Sequence, residues 1–182
     1  MKSLRMTLLA VVILLPALAL AQPATTSDAY KSFTQLKTLA GDWEGRATID
    51  PPQPDMNTDT AHVSMRVTSR GAALVHEMQE AGTPLDPAKY HHPVTMLYVD
   101  NDKLNLVHYC DAGNRPHMVA RKSSDGKKVE FDFVDLSGGN QNGHMYHAVF
   151  TLVDANHHIE EWTYLMPGDK PVHARLDLQR AK

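Results

Sequence analysis

The residues able to do chemistry in this chain lie inside alternating apolar stretches, not in compact motifs. The stretch 103–110 gives His108 and Cys110 the parity of Leu104 and Leu106, and 72–80 gives His76 the parity of Leu74 and Met78. In 158–166, Glu160 shares parity with Trp162 and Tyr164. Successive strand side chains point to opposite faces, so residues two apart share one. These spacings predict an interior holding His76, Met78, His108, Cys110, Glu160, Trp162 and Tyr164, with Tyr98 from the stretch 94–100 as a further polar group. Such a set suits a pocket for a small, mostly apolar molecule.

Harder chemistry is available by residue type. Two imidazoles and a carboxylate from His76, His108 and Glu160 are the donors of a zinc site with an open position. Met78, His76, His108 and Met118 are haem-iron ligand types. Cys110 with His108 is a nucleophile and a base. The spacing argues against each. His108 and Cys110 stand about 6–7 Å apart along one strand, whereas a thiol is activated at roughly 3 Å. The chain has no H-x-x-x-H or H-E-x-x-H helix, no C-x-x-C-H attachment sequence and no Gly-x-Ser-x-Gly elbow. No catalytic residue is therefore assigned. A binding or carrier protein is expected; the alternatives are a haem or metal barrel using the interior histidines, and a structural or interaction barrel with a filled core.

Composition narrows the classes. The 182 residues carry 18 Lys+Arg and 21 Asp+Glu, a net charge of -3, which argues against a nucleic-acid partner. The length fits one domain, large enough to bury a core without disulfides. A single cysteine excludes a disulfide framework and Cys-rich metal sites. At the N-terminus, Lys2 and Arg5 precede an apolar run, Met6 to Leu15, too short to span a bilayer. Ala19-Leu20-Ala21 then supplies small residues at the cleavage positions, so residues 1–21 read as a signal peptide and 22–27 as a linker before a domain over 28–182. The expected product is periplasmic or secreted, with no membrane insertion after cleavage and a net charge of about −5. A free thiol is unusual in such a compartment, so Cys110 is expected either to be buried or to have a function.

These side chains must be placed by strands. One helix is expected, N-capped by Ser27 and starting at Asp28, with Tyr30, Phe33, Leu36 and Leu39 along one face and Gly41 at its stop. Ten alternating stretches follow: 42–49, 61–69, 72–80, 94–100, 103–110, 117–123, 128–135, 144–153, 158–166 and 171–179. Asn101-Asp102, Asp125-Gly126, Ala155-Asn156 and Pro167-Gly168-Asp169 mark tight turns between them. The longer breaks fall at 50–60, 81–92 and 137–143, and Tyr90-His91-His92-Pro93 reads as a solvated loop over one end. Val129, Phe131 and Phe133, and Val172, Ala174, Leu176 and Leu178, form clear apolar faces. The stretch 144–153 is ambiguous, because His144, Tyr146 and Phe150 compete with Met145, His147 and Val149. A meander of ten strands hides its edges by closing, which predicts an all-β, up-and-down antiparallel barrel with one N-terminal helix. A two-sheet sandwich is the rival, but it needs longer crossovers than are present.

Gly41-Asp42-Trp43-Glu44-Gly45, opening the first strand after the helix, resembles the Gly-x-Trp signature of lipocalin-like (calycin) barrels. The resemblance implies that Trp43 packs across a closed barrel end, beside Gly41 and Gly45. Ala73–Met78, Val94–Tyr98, Leu106–Cys110, Gly113–Met118, Val129–Phe133 and Glu161–Thr163 look like an exported bacterial lipocalin-like family of uncharacterised function. That family carries no activity over to this chain. The haem-binding nitrobindin barrels are a more distant resemblance, from which no axial histidine is transferred. Cofactor, ligand identity and oligomeric state stay open.

Overall fold

The computed structural model describes residues 27–53, 59–121 and 126–182. The signal-peptide assignment, most of the linker and the 122–123 end of the sixth expected strand lie outside these residues. One helix, α1 (Asp28–Lys37), precedes ten strands. They are β1 (Gly41–Asp50), β2 (Thr60–Thr68), β3 (Ala73–Glu80), β4 (Val94–Asp100), β5 (Lys103–Tyr109), β6 (Arg115–Ala120), β7 (Lys128–Ser137), β8 (His144–Asp154), β9 (His157–Met166) and β10 (Lys170–Arg180). Each strand pairs antiparallel with its neighbours in sequence, and β1 pairs with β10 to close the barrel. Closure leaves no strand edge unpaired. Among the described residues, no helix is long and apolar enough to cross a membrane.

Helix α1 begins where expected, with the Ser27 side chain accepting from the Tyr30 N–H. Phe33, Leu36 and Leu39 are buried against the barrel, but Tyr30 is exposed. The helix does not stop on Gly41. It ends at Lys37, and the N–H groups of Thr38, Leu39 and Ala40 donate three residues back in a tightened last turn. Gly41 instead opens β1 at φ 132°, a conformation that favours glycine.

Trp43 is the first inward residue of β1 and is fully buried. Its Nε1–H donates to the Leu39 carbonyl at 2.7 Å, and the Arg180 guanidinium lies 4.1 Å from its ring centre. Arg180 also donates to the Ala40 and Thr38 carbonyls. Helix end, Trp43 and Arg180 at the end of β10 thus seal one end of the barrel. Gly45 is needed where β1 crosses β10 closely: a Cβ there would lie 1.8 Å from the Asp177 carbonyl oxygen.

The ambiguous strand β8 has a physical explanation. Its pairing with β9 shifts register between Met145 and His147. A bulge re-phases alternation, so Met145 faces the interior on one side of it and Ala148 and Phe150 on the other. No single parity could describe the strand.

Candidate functional site

The inward side chains of β9 read from the open end to the plug as Tyr164, Trp162, Glu160 and His158, each step about 6–7 Å along the strand. They divide the interior into a sealed polar cluster and an open cavity.

The sealed cluster centres on Glu160, which is fully buried. His76 Nε2, from β3, lies 3.0 Å from one carboxylate oxygen and 3.2 Å from the other. His158 Nε2 lies 3.0 Å away, and the Trp162 Nε1–H donates at 3.0 Å. Burial pushes the Glu160 carboxyl up, but the charge of His76 and the hydrogen bonds from both imidazoles more than offset this. The carboxyl is held below the ordinary carboxylate range. A buried carboxylate is tolerable only with such pairing. The His158 ring stands edge-on to Trp43 at 4.3 Å, which ties the cluster to the plug. Among the described residues, His76 Nδ1 and His158 Nδ1 are buried with no hydrogen-bond partner.

Towards the open end, Trp162 packs against both His76 and His108, with ring centres 5.6 and 5.7 Å away. His108, from β5, is 2 % exposed, and its Nδ1 lies 2.9 Å from Thr95 Oγ1 on β4. Burial, reinforced by the charges of His76 and His91, lowers its pKa from 6.5 to about 3. His108 is therefore a neutral imidazole near neutral pH.

His108 and Trp162 face a cavity of about 320 Å³ at the end opposite the plug. Its walls are mostly apolar, with Met78, Met145, Val172, Ala174 and Leu176 prominent. Cys110, Asp111, Asn142 and Tyr164 edge it, and His91 and Pro93 bring the 81–93 loop onto its rim. A second lobe of about 300 Å³ shares Met78, His91, Ala174 and Leu176 with it and is bounded outward by Lys89 and Tyr90. The Tyr164 hydroxyl donates to the Asn142 carbonyl at 2.7 Å, and burial raises its pKa. Buried Asn114 holds the mouth together, donating to the carbonyls of Gly139 and Gly143 and so joining the 110–114 turn to the 138–143 loop.

The expected site residues thus separate into groups. Met78, His108, Cys110, Trp162 and Tyr164 line the cavity. His76 and Glu160 are interior, as parity predicts, but they belong to the sealed cluster beneath it. Tyr98 does not belong. It alternates with buried Thr95 and Leu97, so its side chain leaves on the outer face. Cys110 lies just past the end of β5, half-buried, and burial raises its thiol pKa, which makes it a poor nucleophile. The zinc set of His76, His108 and Glu160 is also corrected: His76 is bonded to Glu160, while His108 is bonded to Thr95. Among the described residues, no group of three His, Cys, Asp or Glu is placed to hold a metal ion.

Two interior polar residues escaped the sequence reading. His158 opens the stretch 158–166 with the parity of Glu160 and Trp162, so the signal is present, but a residue at the very start of a strand is weakly placed by parity. Thr95 shares parity with Leu97, and a threonine on an inward face carries no signal until its partner is known.

Fold and site together define a class: a ten-stranded antiparallel barrel, plugged by a helix and a tryptophan at one end and open onto an apolar cavity at the other. Among solved structures the chain is similar to Rv2717c from M. tuberculosis, with a TM-score of 0.60 and 15% identity, over 83% of this chain and 98% of that one. It is also similar to a protein of unknown function of the DUF3598 family from Nostoc punctiforme PCC 73102, with a TM-score of 0.50 and 10% identity, over 81% of this chain and 49% of that one. At these identities the likeness is one of fold. No family model and no curated protein matches the sequence.

Proposed function

We propose that this protein binds and carries a small, mainly apolar molecule in the cavity at the open end of the barrel. The observation behind this reading is the cavity itself, about 320 Å³ with mostly apolar walls and few polar groups. That is the composition and lower size range of small-molecule sites. Methionines at three wall positions, Met78, Met145 and Met166, give it an adaptable lining. The Gly-x-Trp resemblance to lipocalin-like barrels supports a carrier role, and the N-terminal 21 residues support export. Titration with Nile red, a neutral apolar dye, tests the reading. Saturable binding is expected, displaced by small apolar compounds and weakened at least about tenfold in Ala174→Phe, whose ring would enter both lobes. Non-saturable binding, or equal affinity in the variant, contradicts it.

A second reading, haem binding, has one specific observation in its favour. His108 and Met78 both face the cavity, and the Thr95 hydroxyl holds His108 Nδ1 as an outer partner holds a ligating imidazole. Titration with haemin decides it: a Soret band lost in His108→Ala supports the reading, and a spectrum of free haemin in the wild type ends it.

A further inference from the structure

The His108 imidazole sits at the floor of an otherwise apolar cavity, and the structure shows what it offers a ligand. Its Nδ1 is engaged by Thr95. Among the described residues, its Nε2 has no hydrogen-bond partner, although the side chain is 2 % exposed and lines the cavity. A polar atom on a side chain enclosed by mostly apolar walls is costly until something pairs with it. We propose that this nitrogen is the seat of a ligand hydroxyl, and that the protein selects uncharged, hydroxylated apolar molecules of the alcohol or phenol class. The proposal rests on the cavity reading above and names the chemical class that the cavity takes.

Three features specify a hydroxyl. The Thr95–His108 bond can form with the proton on either atom, so Nε2 is a donor in one tautomer and an acceptor in the other. A hydroxyl both donates and accepts, so it pairs in either case. A carboxylate is disfavoured, because burial keeps His108 uncharged and the His76 imidazole already pairs with Glu160. At the rim, His91 lies 3.5 Å from Asp111, which adds a negative group at the entrance. No lysine or arginine is among the described residues that line the cavity itself; Lys89 lines the adjoining lobe. A hydrocarbon fills the walls but leaves Nε2 unpaired. The Trp162 indole N–H, by contrast, donates to Glu160 and is not available to a ligand.

Matched ligands test this on the whole protein. Affinities of 4-propylphenol, propylbenzene and 4-propylbenzoate are measured by calorimetry at neutral pH. The phenol is expected to bind about three- to tenfold tighter than propylbenzene, the range of one neutral hydrogen bond, and tighter than the benzoate by at least about tenfold. In His108→Leu the ratio of phenol to propylbenzene affinity falls to about one. In His108→Asn, which restores a hydrogen-bonding group, the preference returns in part. Equal affinity for phenol and propylbenzene in the wild type, or benzoate binding as tight as the phenol, overturns the inference without any variant. A preference that survives in His108→Leu overturns it as well. Propylbenzene binding with no hydroxyl preference leaves the cavity reading standing, whereas failure of all three ligands removes both.

Discussion

Two interior side chains carry opposite electrostatic burdens. Glu160 keeps its charge by collecting three donors, and His108 gives up its charge because burial offers it none to pair with. Both leave a signature in acid. His108 titrates at about 3 in the fold against 6.5 in the open chain, so the unfolded state takes up the proton first. The stability that this neutral imidazole contributes is present above pH 6.5 and is lost as the pH falls towards 3. Glu160 is depressed below its ordinary value of 4.5, so its contribution is present above that pH and is lost at lower pH. Urea denaturation across pH is expected to show a shallower acid slope for His108→Leu between pH 6.5 and 3, and for Glu160→Gln only below pH 4.5. Slopes identical to wild type in both variants contradict these assignments. At neutral pH, His76→Leu removes one partner of the buried pair and is expected to cost about 3–5 kcal/mol by the same measurement.

The strands show why some of this was legible before the structure and some was not. Alternation in β3, β5 and β9 placed His76, His108, Glu160 and Trp162 inside, because a strand that is not itself bulged has one phase and its apolar residues reveal it. The phase says which face a residue takes, not how far along the barrel axis it lies. His76 and Glu160 were therefore assigned to the pocket when they lie beneath its floor. In β8 the bulge at Met145 broke the phase itself. Tyr98, expected in the pocket, has the opposite parity to buried Thr95 and Leu97 and takes the outer face. The rim residues His91, Asp111 and Asn142 come from connections, where no period exists to read. Gly45, which the Gly-x-Trp resemblance sets beside Trp43, lies in the seam between β1 and β10, and its substitution tests the closure directly. Gly45→Ala puts a Cβ onto the Asp177 carbonyl, where only backbone can move. A loss of about 3 kcal/mol or more, or failure to fold, is expected. A neutral substitution contradicts the close β1–β10 crossing.

Over the whole molecule, the barrel is polarised along its axis. Helix α1, Trp43 and Arg180 close one end; the Glu160 cluster lies above them, then the layer of Trp162 and His108, then the cavity and its loops. The buried Glu160 cluster lies towards the plug, and His108 lines the cavity at the opposite end. The chain's two tryptophans mark the two halves, Trp43 in the plug and Trp162 at the cavity floor. Their indole N–H groups are held by different acceptors, Leu39 and Glu160. In a nitrogen–proton correlation spectrum they give two separate signals, one for each end. Titration with 4-propylphenol is expected to move the Trp162 indole signal saturably while the Trp43 signal stays in place. If neither signal moves, or if only that of Trp43 does, the open end of this barrel is not where the protein binds a ligand.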